Sequence, residues 1–313
     1  MLLEVFYLIL GFVFLISGAN LLVKGSSNIA KKINMPEILI GLTIVALGTS
    51  APELIVTITS GAKGAGDLII GNAVGSNLCN LLLVLGLTAI IKPIQIEKQA
   101  KNIHIPISLF VTVLVLLMGF FSAIDRIEGI ILLLLFIFYF SYPIIIKIKK
   151  MGDGINNNYP KSRKGTFIST LFILLGVILL KYGGDFVVDN SIRIARILNI
   201  SENIIGLTII AFGTSLPELV TSIVAVIKGD ENLAVGNIVG SCIFNLLLIL
   251  GAGAVITPLK IYNGFNKNLI LLICSTVLIW LFNFVGRKNY ITRVKGIQLL
   301  MIFTLYIADL FQN

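Results

Sequence analysis

Charge is scarce in this chain of 313 residues. Only 12% of them are Asp, Glu, Lys or Arg, there is one histidine, and there are three cysteines. A water-soluble domain of this length needs far more polar surface, so a soluble globule is excluded. Cys79, Cys242 and Cys274 all fall inside apolar runs, without disulfide or metal-ligand spacing, and read as small apolar fillers. His104 stands near the start of an apolar run and has no counterpart elsewhere, so it is expected at the membrane interface. Its isolation argues against a histidine-dependent hydrolase or proton relay. The net charge of +9 does not point to nucleic acid, because the basic residues sit in short loops between apolar runs.

What fills the chain is hydrocarbon. Hydrophobic residues make up 57% of it, and the mean hydropathy is +1.02. Apolar runs of spanning length recur near 4–25, 37–60, 68–91, 103–123, 128–148, 166–188, 203–227, 233–256, 267–285 and 294–311. They lack strand alternation, and lipid cannot satisfy open backbone, so the expectation is an all-α polytopic membrane protein with about ten transmembrane helices. The first run carries Glu4 in place of a basic leader segment and has a counterpart later in the chain, so it reads as a span. One polar linker, 151–165, separates a first five-helix unit, 1–150, from a second, 166–313.

The two units are copies. Shifted by 165 residues, G41-LTIVALGTSAPEL falls on G206-LTIIAFGTSLPEL, and G71-NAVGSNLCNLLLVLG on G236-NIVGSCIFNLLLILG. Between Gly41–Ile94 and Gly206–Leu259, 29 of 54 positions are identical, and the matches include Gly, Thr, Ser, Pro, Glu and Asn as well as aliphatic residues. That is a duplication. Five spans is an odd number, so the second copy must enter the membrane from the opposite side. If loops alternate sides, sixteen basic residues fall on one side and six on the other. This bias places the linker in the cytoplasm and both termini outside. Inverted repeats put a shared site at mid-membrane, built from broken helices.

Glu53 and Glu218 lie midway along equivalent spans, where a charge is costly and needs a partner. No Lys or Arg lies at equivalent depth in both copies, and two facing carboxylates repel, so the missing cation is best read as the cargo. Pro52 and Pro217 remove a helical hydrogen bond and release carbonyls near Thr49 and Thr214, while Gly48 and Gly213 let the backbone open. Thr49, Ser50, Thr214 and Ser215 add hydroxyls, and the second motif adds Ser76 and Asn80, then Ser241 and Asn245. Every donor is oxygen, which points to hard cations such as Ca²⁺ or Na⁺. Gly71, Gly75, Gly236 and Gly240 favour helix packing, and Asn72 and Asn237 fit either interhelical bonding or ligation. Asp185 and Asp189 read as charges at a mouth or loop. A cation channel is less apt, since two repeats make a pair of glutamates and no symmetric ring. A hydrolase using Ser50 or Ser215 would have no base to activate it, so no enzyme is expected.

G48-TSAPE53 and G213-TSLPE218, each followed by G-N-x-V-G-S-x-x-x-N, resemble the paired repeats of sodium/calcium exchangers in the calcium/cation antiporter superfamily, and the likeness runs over essentially the whole chain. The resemblance implies a secondary antiporter of the cell membrane that exchanges Na⁺ for Ca²⁺ by alternating access, with no prosthetic group and no obligatory protein partner. It implies Glu53 and Glu218 as the Ca²⁺ ligands, completed by the carbonyls of Thr49 and Thr214. Sodium sites would add Ala46, Ser76 and Asn80 on one side and Ala211, Thr214 and Ser241 on the other. Asn245 stands where some members, including potassium-dependent ones, carry Asp, which counts against potassium co-transport. The alternative, H⁺/Ca²⁺ exchange, is weakened by the absence of an acidic residue or histidine after either G-N motif.

Overall fold

The computed structural model describes residues 2–33, 35–120, 123–152, 163–198, 211–261 and 265–310. Most of the 151–165 linker, and residues 206–210 that repeat Gly41–Val45, lie outside the described residues. A helix occupies each expected span, the one at 203–227 from Ala211 onward. In chain order these are α1 (Leu2–Lys32), α2 (Glu37–Thr49), α3 (Ala51–Ala62), α4 (Gly66–Ile91), α5 (Ala100–Gly119), α6 (Arg126–Gly152) and α7 (Arg163–Ile197). A single turn α8 (Ala211–Gly213) follows, then α9 (Leu216–Lys228), α10 (Glu231–Ile256), α11 (Phe265–Leu281) and α12 (Arg293–Leu310). Among the described residues, five helices are long and apolar enough to cross a membrane alone. Counting α2 and α3 as one broken crossing, bent by 48°, makes six. The chain is a helical, multi-pass membrane protein.

The first helix of each half runs past its expected end, to Lys32 rather than 25 and to Ile197 rather than 188. At 31 and 35 residues they measure about 46 and 52 Å, well over the hydrocarbon thickness of about 30 Å. Neither holds a proline to stop it, and small residues let the two lie against each other. A Cβ added at Gly11 would meet Gly183 O at 2.9 Å, one at Gly18 would meet Gly176 O at 2.8 Å, and one at Gly25 would meet Ser169 O at 2.7 Å. Numbers rise along α1 as they fall along α7, so these equivalent helices pack antiparallel.

The all-helical expectation misses two short antiparallel ribbons that tie the halves together. β1 (Ile94–Gln95) pairs with β4 (Tyr290–Ile291), and β2 (Ala123–Ile124) with β3 (Leu259–Lys260). Proline makes the difference. Lys92 and Thr257 precede Pro93 and Pro258 and are extended, at φ −145°, ψ 127° and φ −144°, ψ 135°, so α4 and α10 stop and their chains run on as strands. The apolar core is concentrated on α4 and α10, whose spanning windows are 72% and 83% buried against 22% for α1. These two helices form the centre of the molecule, and both carry the second motif.

Candidate ion site

Helix α2 stops at Thr49, Ser50 takes φ −86° and ψ 10°, and α3 restarts with Pro52 at its second position. Leu54 N–H reaches back to Ser50 O at 3.2 Å, and in the second half Leu219 N–H reaches Ser215 O at 3.0 Å. Pro52 and Pro217 have no N–H to return to the carbonyls of Gly48 and Gly213, one turn back and next to Thr49 and Thr214. Ala46 O, in contrast, already accepts Ser50 N–H at 2.9 Å and the Thr49 hydroxyl at 3.3 Å. Of Ala211 only the backbone is described.

The structure gathers the other candidates in the buried centre. Ala46, Thr49, Glu53, Asn80, Glu218, Ser241 and Asn245 are fully buried, and Ser76 nearly so. Glu218 is held: Ser50 donates to its Oε1 at 2.9 Å and Ser241 at 3.4 Å, with the two hydroxyl oxygens 3.1 Å apart. Among the described residues, neither oxygen of Glu53 has a hydrogen-bond partner. Glu218 Oε2, both amide atoms of Asn80 and Oδ1 of Asn245 are likewise buried without partners among the described residues. Ser76 Oγ stands 3.5 Å from Thr214 Oγ1. Buried oxygens left unpaired are costly in any interior, and they are the form a cation's ligands take. Two carboxylates with several neutral oxygens suit Ca²⁺ or Na⁺ better than a thiophilic metal.

Asn237 resolves as a structural bond. Thr49 Oγ1 donates to its Oδ1 at 3.0 Å, and its Nδ2 donates to Ser222 Oγ at 3.1 Å and Glu218 O at 3.4 Å, so it joins α2, α9 and α10. Gly236 and Gly240 act in packing, as expected: α2 lies on them so closely that a Cβ at Gly240 would fall 2.7 Å from Leu42 Cα. His104 is 5% exposed, and its Nδ1 lies 2.8 Å from the Tyr139 hydroxyl of α6.

The surroundings of the site differ on its two sides. A cleft of about 200 Å³ is lined by Pro52, Ile55 and Val56 of α3, by Lys181, Asp185 and Asp189 of α7, and by Thr214 and Pro217. Its lining includes the prolines that precede both glutamates in the chain, and Asp185 and Asp189 supply its acidic wall. Lys181 pairs with Asp185 at 2.8 Å in the open. On the equivalent side α1 lies along α9: Ser27 donates to Asp230 Oδ2 at 2.6 Å and Lys228 Nζ to Asn20 O at 3.1 Å. Ala19 and Val23 of α1 and Thr221 of α9 are fully buried there.

Sequence reasoning missed two features. Both second-motif helices pass through a wide π-type stretch, Cys79–Val84 and Asn245–Ile249, beginning at or beside the candidate asparagines. Such turns are common at functional sites, and no residue pattern announces them. The other is Asn77, fully buried between the halves, which the duplication hid because its counterpart is Cys242.

A multi-pass helical protein made of two related halves, with two buried carboxylates and a cluster of neutral oxygens where they meet, falls in the class of membrane ion transporters. The family model for sodium/calcium exchanger proteins matches residues 3–145 and 168–311. The chain is 32% identical to the sodium/calcium exchanger MaX1 of Methanosarcina acetivorans over 348 residues, 97% of each chain. It is 34% identical to an uncharacterized membrane protein of Methanocaldococcus jannaschii over 311 residues, 99% of each. Among solved structures, the sodium-calcium exchanger NCX_Mj soaked with Na⁺ and Ca²⁺ matches with a TM-score of 0.85 and 33% identity, covering 99% of both chains. The chain belongs to the sodium/calcium exchanger family and is a transmembrane antiporter of cations.

Proposed function

We propose that this antiporter exchanges Na⁺ for Ca²⁺ by alternating access, at a midplane site built by both halves. The observation that carries this is the pair Glu53 and Glu218: equivalent, fully buried, and without an ion pair among the described residues. One Ca²⁺ neutralises them. Several Na⁺ ions replace it, using the same carboxylates together with the carbonyls of Thr49, Thr214, Ala46 and Ala211 and the side chains of Ser76, Ser241, Asn80 and Asn245. An empty site would carry two uncompensated carboxylates through a low-dielectric interior, which disfavours crossing without an ion and makes exchange obligatory.

The ten expected spans are then two inverted five-helix repeats, 1–150 and 166–313, with the 151–165 linker in the cytoplasm, both termini outside and the protein in the plasma membrane. The antiparallel packing of α1 on α7, the break at Ser50 and the loop charge bias support that arrangement. The cleft on the α7 side and the sealed α1 side support a protein caught facing one way. Inverted repeats exchange those roles when it turns over.

The test is Ca²⁺ uptake into proteoliposomes under an outward Na⁺ gradient, a pH gradient, or neither. The expected result is uptake driven by Na⁺. Uptake driven by the pH gradient and indifferent to Na⁺ would overturn the reading in favour of H⁺/Ca²⁺ exchange.

A further inference from the structure

We infer that Asn77 positions the Asn245 side chain, fixing its carbonyl oxygen as the end offered to an ion. This rests on the reading of Asn245 as a ligand. Asn77 and Cys242 hold equivalent places in the two halves and face each other: Asn77 Nδ2 donates to Cys242 O at 3.0 Å, and Cys242 Sγ lies 4.0 Å from Asn77 O. A peptide carbonyl only accepts, so the amide nitrogen of Asn77 must be the end turned toward Cys242. Its Oδ1 is left facing Asn245, and it too only accepts, so Asn245 presents Nδ2 at 3.1 Å. The remaining end of Asn245 is Oδ1, which is buried and has no partner among the described residues. One backbone carbonyl thus sets the orientation of two side chains in turn.

The second copy of this device is missing. By the duplication, Asn80 would take its bearing from the side chain of residue 242, where a thiol replaces an amide. Both amide atoms of Asn80 are without a partner among the described residues. The two halves therefore supply two equivalent asparagines, one locked with its oxygen available and one free to turn. A locked neutral oxygen matters most to a monovalent ion, since Ca²⁺ draws most of its binding from the paired carboxylate charges.

The test replaces Asn77 by the residue its own counterpart carries, Asn77→Cys, with Asn77→Ser as a second variant. Half-saturating Na⁺ and Ca²⁺ are measured for Ca²⁺ uptake in proteoliposomes, with folding checked by gel filtration in detergent. Loss of one orienting hydrogen bond is expected to raise half-saturating Na⁺ roughly two- to tenfold, while Ca²⁺ shifts less. Asn245→Leu should shift Na⁺ in the same direction and further, and Cys242→Ser, which leaves the backbone carbonyl in place, should shift neither. An unchanged Na⁺ dependence in Asn77→Cys, equal shifts for both ions, or failure of both Asn77 variants to fold would overturn the inference. Failure of the underlying site reading looks different: Glu53→Gln, with Asn77 intact, would then still exchange.

Discussion

The contact between α2 and α10 allows a quantitative test through Gly240→Ala. An added Cβ would lie 2.7 Å from Leu42 Cα, 2.8 Å from Leu42 O and 2.9 Å from Ala46 Cβ, against 3.4 Å for the onset of ordinary contact. Two of these neighbours are backbone and the third is a Cβ, so none can rotate away. Helix α2 must lift by about 0.7 Å, and it carries Ser50 with it. The Ser50–Glu218 hydrogen bond then stretches from 2.9 Å to about 3.6 Å, beyond useful length. Overpacking of this kind costs about 1–3 kcal/mol, and a buried carboxylate that loses a donor costs a similar amount. At 1.4 kcal/mol per factor of ten, loss of the donor should lower uptake roughly five- to a hundredfold, while the overpacking shows as earlier unfolding. The assay is Na⁺-driven Ca²⁺ uptake in proteoliposomes beside thermal unfolding in detergent. Gly184→Ala serves as the control, because no described atom lies within 4 Å of the added methyl. Wild-type uptake and wild-type unfolding in Gly240→Ala would refute the claim that this contact sets the site.

Three further outcomes follow from the same geometry. Glu53→Gln and Glu218→Gln should each abolish Ca²⁺ uptake in protein that still elutes as a folded species, and normal uptake in either would remove that residue from the site. Asp185→Asn with Asp189→Asn should slow Ca²⁺ uptake at low ionic strength, with the deficit shrinking as salt is added, because cleft carboxylates act by long-range attraction. A deficit that ignores salt would assign them another role. Asp230→Ala, which removes the acceptor for Ser27, should speed hydrogen–deuterium exchange at the C-terminal end of α9; unchanged exchange there would mean that this contact does not hold α1 in place.

Much of this was legible in the sequence because a duplication writes each functional group twice. Glu53 and Glu218, the two prolines and the G-N-x-V-G-S motifs could be paired by register alone, and the structure buries both glutamates together with Ser76, Asn80, Ser241 and Asn245. What the sequence could not carry is three-dimensional consequence. The ribbons depend on which half lies beside which after Pro93 and Pro258, and the π stretches at Cys79 and Asn245 leave no mark in residue type. The partner of His104 was hidden for the same reason, since Tyr139 lies 35 positions away and only the fold brings the two together.

The repeat also conceals what makes the two half-sites unlike. A perfect duplication would hold both glutamates and both asparagines in the same way. Among the described residues Glu218 has two hydroxyl donors and Glu53 none, and Asn245 has an orienting partner while Asn80 has none. The first difference follows conformation: α2 and its Ser50 lie hard against α10, whereas the cleft opens beside Pro52 and Thr214. If the proposed alternating access operates on inverted halves, turnover exchanges this difference, so that Glu53 gains donors and Glu218 loses them in the opposite-facing form. The second difference follows from the Asn77–Cys242 pair and is fixed in the covalent chain, so it persists in both forms. A site with one exchangeable and one permanent asymmetry can keep a neutral ligand in place while its charged ligands take turns being loose. That separates the binding of cations at the carboxylates from the arrangement of the neutral oxygens around them. The Asn77 variants should therefore alter Na⁺ dependence equally from either face of the membrane, and a one-sided effect in oriented vesicles would contradict the permanence of that asymmetry.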